Sequence, residues 1–431
     1  MSVVGFPNRK MPNLIRASGI SGHKNLGLGG VSLNSSLNTT WQAKFNVDGD
    51  FDAIRLVYYN HQPNDISSLQ AVVAVTETAA TNTTDNLSQP IVAGTARATK
   101  DSSSSPYGWR SVTWFGNESA VAIPLAAQNW PLDVFSDWIP LRSVPRADGG
   151  RGRLILVRTY INGSLNNYAF VSTNHLSTLL RDPTQANRGM IYQVGSFSGD
   201  AVGAVTNSPT ALATSGHAIG IQLRRRGPAM TVMGIGDSTY ENRTLVADKA
   251  SSFGFRACAD VSTDALPVGW VNQAIASQTS EYYYYLGMQG ILDWNPDIVV
   301  FEGLSPNDTT STVDVFRLNT TRRMTRLHNM LDLCQKNGTT LIVSTGIPKN
   351  YSSAIDVERE TANSFIRDMA NRGLVLLADF DLALRDPNMR SRIRAEYNFG
   401  DDIHPNEAGV EIMAGVLREQ LASVVSTYKG A

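Results

Sequence analysis

Cysteine is almost absent from this chain: only Cys258 and Cys334 occur in 431 residues. Two thiols cannot build a disulfide framework, and no CxxC, HExxH or similar metal-ligand spacing appears. A GxxxxGK[ST] phosphate loop is also missing. Nor is there an excess of charge: 37 Lys and Arg stand against 38 Asp and Glu. A balance of that kind carries no electrostatic footprint for nucleic acid or an acidic membrane. The one compact basic cluster, Arg224-Arg225-Arg226, ends an alternating run, and a solvated strand end or linker anchor accounts for it. No apolar run approaches a membrane span, and the stretch MSVVGFPNRKMPNLIRASG has no apolar core of signal-peptide length. The expectation is a protein without metal or cofactor, with no nucleic-acid partner and no membrane insertion. It would lie in the cytoplasm or leave by a route that needs no Sec signal.

What is present changes character near residue 228. From about 38 to 226, apolar residues alternate with polar ones. Trp41, Ala43, Phe45 and Val47 share one face, Asp48-Gly49-Asp50 turns the chain toward Phe51 to Tyr59, and Ile219, Ile221 and Leu223 alternate again. Arg153 to Ile161 reads as a strand, and Asn162-Gly163 after it is the strongest short hairpin signal in the sequence. Residues 38–228 therefore predict an antiparallel β-sandwich, jelly-roll-like, with residues 1–37 as an arm or lead-in. Beyond Gly227-Pro228, residues 229–431 alternate strand with helix. The strand candidates are Thr231 to Gly236, Gly269 to Ile275, Asp297 to Leu304, Thr340 to Ile347 and Leu374 to Phe380. Helix-length segments separate them, roughly Thr244 to Ala257, Ser280 to Asp293, Val313 to Lys336 and Ile355 to Asn371, and Asn406 to Tyr428 closes the chain. This is the pattern of a parallel sheet covered on both faces. Right-handed crossovers bring the carboxyl ends of all five strands to one edge.

That edge collects the polar residues of interest. Ser238 follows the first strand, Ser277 the second and Asn307 the third, and His404 lies in the loop before the last helix. Gly236-Asp237-Ser238 alone spells an ordinary turn and helix cap, and Asp401-Asp402-Ile403-His404-Pro405-Asn406 alone spells a helix entry capped by Asn406. Both, in order, at the ligand-binding edge of a five-strand α/β pattern, point to catalysis.

Together with Asn272-Gln273-Ala274-Ile275-Ala276-Ser277 and Ser305-Pro306-Asn307-Asp308, these stretches resemble the four sequence blocks of the SGNH (GDSL) hydrolases, in family order, over residues 229–428. Two positions depart from the pattern: Ser277 and Ser305 stand where the family usually has glycine. The resemblance implies a three-layer αβα, flavodoxin-like domain. It implies Ser238 as nucleophile, His404 as general base and Asp401 as the acid that orients it. The backbone N–H groups of Ser238 and Ser277 and the amide of Asn307 would form the oxyanion hole. Asp402 reads as a turn residue, and Asp237 and Asp308 as loop supports. Of Tyr282 to Tyr285, four in a row on a helix, one or two must be core; the two cysteines read as buried small apolar residues.

Relatives with such blocks include lipases, thioesterases and carbohydrate deacetylases. The strand-rich half, with Trp41, Trp109, Trp114, Trp130 and Trp138 among abundant Asn, Ser and Thr, resembles a carbohydrate-recognition module. Trp109 or Trp130 would be the residues to stack on sugars. The composition is also similar to phage tail-associated deacetylases. The expected function is removal of acetyl groups from an acetylated carbohydrate. The alternatives are a lipase or thioesterase of the same superfamily, and a glycan-binding or structural virion protein with an inactive hydrolase domain.

Overall fold

The computed structural model describes residues 14–18, 39–47, 49–59, 66–76, 101, 108–123, 133–144, 153–161, 170–171, 193–198, 202, 211–212, 216–217, 219–241, 252–274, 278–308 and 313–429. Met230–Ile235 (β1) is buried at all six positions, as a strand covered on both faces must be. The same holds for Val268–Asn272 (β2) and Ile298–Glu302 (β3). With Thr340–Ser344 (β4) and Leu376–Ala378 (β5) they form one parallel sheet in the order β2-β1-β3-β4-β5. That is the flavodoxin-like order, and its direction reverses between β1 and β3, where open α/β sheets bind ligands.

The helices are Ser238–Glu241 (α1), Phe253–Val261 (α2), Ser280–Trp294 (α3), Val313–Asn337 (α4), Ser353–Asn371 (α5), Phe380–Leu384 (α6) and Glu407–Lys429 (α7). Alternate strand residues divide between two cores. Met233, Ile235, Val299, Phe301 and Val343 pack with Tyr283, Ile291 and Trp294 of α3, Met330 of α4 and Ile366 of α5. Met230, Val232, Ile298, Val300 and Ile342 pack with Phe253 and Cys258 of α2 and Met413 and Leu417 of α7. Helices thus cover both faces, and the three-layer αβα expectation holds.

A one-turn α1 begins at Ser238 itself, and the described end of the helix predicted over Thr244 to Ala257 is α2, which starts at Phe253, where the Ser252 hydroxyl accepts from the Phe255 N–H at 3.2 Å. Residues 242–251 lie outside the described residues.

The earlier part is antiparallel. One sheet runs Leu14–Ser18, Ile219–Arg224, Ala53–Tyr59, Asp133–Phe135; the other centres on Thr39–Val47, Arg153–Ile161 and Ile66–Thr76. Ile54, Leu56, Ile221 and Leu223 of the first meet Val73, Val75, Ile155 and Val157 of the second in one core, and the hydroxyls of Tyr58 and Thr159 bond across it at 2.7 Å. Asn162-Gly163 lies outside the described residues, and both edges of Arg153–Ile161 are taken by strands distant in sequence. One sequence expectation fails here. Trp109 is no sugar platform: it is fully buried beneath the Arg158 guanidinium, 4.6 Å from its ring centre. Trp130 lies outside the described residues.

The two parts touch. Phe135 of the antiparallel region packs on Trp294 at the end of α3, with ring centres 6.0 Å apart. Arg225 donates to the Asp264 carbonyl at 3.1 Å, which makes the arginine cluster a linker anchor.

Candidate active site

Ser238 sits where β1 ends and α1 begins, and the turn that carries it is tight. A Cβ on Gly236 would come within 2.6 Å of Tyr240 Cγ and 2.8 Å of Glu302 Oε2, so only glycine fits. His404 arrives from the other end of the chain, on the loop before α7. That loop is held by asparagines: Asn398 Oδ1 accepts from Gly400 N–H at 2.8 Å, and Asn406 donates to the carbonyls of Glu396 and Asn398 at 2.9 and 3.2 Å. Asn406 Oδ1 also accepts from Gly409 N–H at 3.0 Å and caps α7. Asp402 has φ +58°, the left-handed conformation of a turn residue, and accepts from Asn398 Nδ2 at 2.7 Å.

The three residues expected to act together are brought together. Ser238 Oγ lies 2.8 Å from His404 Nε2, and His404 Nδ1 lies 2.5 Å from Asp401 Oδ2. Asp401 Oδ1 accepts the backbone N–H groups of Ile403 and His404 at 2.9 and 2.8 Å. Burial pushes the Asp401 carboxyl up, but the His404 side-chain bond and the two N–H groups outweigh it and hold it below the usual aspartate range. An ionised carboxylate only accepts, so the imidazole proton belongs on Nδ1, leaving Nε2 to accept from the serine hydroxyl.

The oxyanion side is less complete. No described residue accepts from the Ser238 backbone N–H, which leaves that donor available. Ser277 lies outside the described residues. The amide of Asn307 directs its two hydrogens to Asp237 Oδ2 and the Gln278 carbonyl, both at 3.1 Å.

Asp308 supports the loops: it accepts the N–H groups of Ser280 and Ser305 at 2.9 and 3.1 Å and pairs with Arg323 at 2.9 Å. Sequence reasoning missed Lys349, whose ammonium donates to the Pro306 carbonyl at 3.0 Å. Burial lowers its pKa, while Asp237 and Asp401 act against that shift. It also missed Glu302, a single acidic residue closing an apolar strand, which is the signal that could have found it. Tyr283 and Tyr284 are core while Tyr285 is exposed. Both cysteines are buried free thiols, and burial pushes Cys334 up to about 12. Among the described residues no cluster of His, Cys, Asp and Glu could hold a metal, and no helix is long and apolar enough to cross a membrane.

Residues 235–412 match the model of the GDSL-like Lipase/Acylhydrolase family. Those residues thus carry a GDSL-like lipase/acylhydrolase domain, and the class of chemistry such a domain performs is ester hydrolysis. Among solved structures it is similar to a GDSL-like lipase from Bacteroides thetaiotaomicron, with 16% identity, a TM-score of 0.36, and 45% of this chain and 89% of that one covered. It is also similar to an acetylxylan esterase from Geobacillus stearothermophilus, with 14% identity, a TM-score of 0.37, and 45% and 95% covered. A lipase/acylhydrolase from Enterococcus faecalis gives 15% identity, a TM-score of 0.33, and 45% and 96% covered. No curated protein sequence matches the chain.

Proposed function

We propose that the protein is a serine esterase that removes acetyl groups from a carbohydrate through an acyl-enzyme. The observation that carries the reading is the unbroken chain of contacts Ser238–His404–Asp401 at 2.8 and 2.5 Å. His404 Nε2 takes the Ser238 proton as Oγ attacks the ester carbonyl, then returns it to the departing sugar oxygen. Asp401 keeps the imidazole in the required tautomer and stabilises the imidazolium. The acetyl group passes from the sugar oxygen to Oγ, and water, deprotonated by the same imidazole, releases it as acetate. The oxyanion is met by the Ser238 N–H and by Asn307, which exchanges its bond to the Gln278 carbonyl for one to the substrate; apo sites commonly tighten only on binding. Residues 229–431 contain this whole constellation, and residues 38–228 form a separate β-sandwich domain that supplies recognition.

Acetyl is favoured over a long acyl chain by what surrounds the serine. Asp237, Thr239, Asn307, Lys349 and Asp401 are polar, and among the described residues the exposed large apolar side chains, such as Leu292, Val357 and Phe399, are scattered along the sequence and do not form a run. A lipase needs a continuous apolar channel or an amphipathic lid. The test is turnover on p-nitrophenyl acetate, butyrate and palmitate beside acetate release from acetylated glycans. Acetate should be the fastest ester and be freed from at least one glycan. Faster palmitate cleavage with no glycan product would make the protein a lipase.

A further inference from the structure

Beneath Ser238 lies a pair of carboxyl groups that the triad does not use. Asp237 and Glu302 are 0% and 3% exposed, and no lysine, arginine or histidine side chain donates a hydrogen bond to either among the described residues. Their partners are unequal. Asp237 Oδ1 accepts the backbone N–H and hydroxyl of Thr239, both at 2.9 Å; its Oδ2 accepts Ser305 Oγ at 2.5 Å and Asn307 Nδ2 at 3.1 Å. Glu302 Oε2 accepts the Asp237 N–H at 2.7 Å, and Oε1 has a single neighbour, Thr239 Oγ1 at 3.1 Å.

A count of protons favours one charge state. The Thr239 hydroxyl has one hydrogen, yet it lies within bonding distance of a carboxyl oxygen on each side. Both contacts are hydrogen bonds only if one carboxyl brings its own proton. Asp237 lies within bonding distance of four donors, the setting of an anion, although the Ser305 hydroxyl also has the Gln278 carbonyl at 3.1 Å. Glu302 Oε1 receives none if Thr239 donates to Asp237, so the extra proton belongs there. Electrostatics agree in direction. Burial is the leading cause and raises both groups, and the neighbouring Asp237 adds to the rise at Glu302, which lies well above the ordinary glutamate range. The other groups acting on this carboxyl or acted on by it are Asp308 after β3, Tyr240 of α1, Tyr283 of α3 and Tyr351 after β4. His404 and Lys349 interact with Asp237, and Arg323 is paired with Asp308.

We propose that Glu302 is a neutral carboxylic acid in the working protein, donating from Oε1 to Thr239 Oγ1, which donates to Asp237 Oδ1. This chain fixes the turn that presents Ser238. Glu302 is thereby a positioning residue: it holds Asp237, and Asp237 holds Ser305 and Asn307 on the opposite wall. The effect on turnover rests on Ser238 being the nucleophile; the buried proton does not.

Glu302→Gln copies the neutral acid, since its amide can donate to Thr239 while its carbonyl accepts from Asp237. A carboxyl with a raised folded pKa keeps a proton that the unfolded chain releases. Wild-type stability then declines as pH climbs from the unfolded glutamate value toward the folded one. E302Q lacks that titration, so its melting midpoint should gain on wild type steadily as pH rises above the unfolded glutamate value of about 4.3. A gap that is flat or shrinks with pH, or an E302Q chain that does not fold, overturns the proposal. Infrared spectra of the wild type give a measurement free of any variant. The carbonyl stretch of a protonated carboxyl should persist well above the range where exposed carboxyls ionise, and its absence overturns the assignment. For the positioning role, E302Q should keep far more of its kcat than Glu302→Leu, with KM little moved in both. Should E302L not fold, Thr239→Val breaks the same chain. Equal kcat for the breaking variant and wild type refutes positioning. Activity surviving in Ser238→Ala would instead refute the nucleophile while leaving the melting and infrared results intact.

Discussion

Replacing Asp401 by alanine and by asparagine should give two different losses, and their order tests the tautomer argument. In wild type the carboxylate receives three hydrogen bonds, from His404 Nδ1 at 2.5 Å and from two backbone N–H groups at 2.8 and 2.9 Å. Alanine removes all three, but the loop remains tied through Asn398 and Asn406, so His404 stays near Ser238. A hydrogen bond to a charged group contributes roughly 1.5–3 kcal/mol, and the 38% exposure of the Asp401 side chain puts it at the lower end through solvent screening. D401A should therefore lose about 10- to 100-fold in kcat. Asparagine can still accept from the backbone while presenting its N–H₂ to Nδ1. That drives the imidazole proton to Nε2, which then faces Ser238 as a donor and cannot take its proton. The matching change in serine proteases costs about 10⁴. Steady-state hydrolysis of p-nitrophenyl acetate at neutral pH, with a melting curve for each variant, is the assay. An asparagine variant faster than the alanine one would refute the tautomer role.

Ser238→Ala and His404→Ala should each abolish nearly all turnover, by about 10⁴-fold or more, with the double variant no worse than either single one; steady-state kinetics on the three proteins checks this. A stability prediction comes from Asp379. Burial raises its carboxyl, but Arg367, donating at 2.8 and 2.9 Å, with the Leu382 N–H and the Thr345 hydroxyl, brings it below the usual range. A depressed carboxyl adds stability above its unfolded pKa and loses it as pH falls through the folded one. Asp379→Asn should thus melt lower than wild type at neutral pH by about 1–3 kcal/mol, with the gap closing in acid, as followed by circular dichroism. Residues 229–431 expressed alone should still cleave p-nitrophenyl acetate, and the fluorescence of Trp294, no longer covered by Phe135, should shift to the red. A folded but inactive fragment would mean that the antiparallel half completes the site.

Most of the parallel sheet was legible because its strands are apolar and its helices long. Ile298–Glu302 and Thr340–Ser344 fall within their predicted segments, and α3 and α4 begin at the predicted residues. Ser238, Asp401 and His404 were legible because short motifs mark them. The failures share a cause, which is that pairing and facing are long-range properties. Both edges of Arg153–Ile161 are taken by strands 39–47 and 66–76, a pairing that no local turn signal in the sequence encodes. Trp109 has the composition of a sugar platform, but the side of the sheet it occupies is filled by Arg158, Leu156 and Val202. Glu302 reads as the polar end of a strand; only folding puts Gly236, Asp237 and Thr239 over it.

The two halves of the site are built by different physics. The serine half is buried: Asp237 and Ser238 are 0% and 4% exposed, and their surroundings are fixed by a closed network of donors and acceptors in which any unmade bond would be costly. The histidine half lies on a surface loop with little apolar area to bury, so it cannot be fixed by packing. Hydrogen bonds local to residues 396–409 do that instead, through Asn398, Asp401 and Asn406. Local ties of this kind survive the loss of one member, whereas the buried network does not. Substitutions around His404 should therefore grade activity, and substitutions beneath Ser238 should remove activity and stability together. The exception beneath Ser238 is a residue such as glutamine at 302, which satisfies every partner that the neutral acid satisfies.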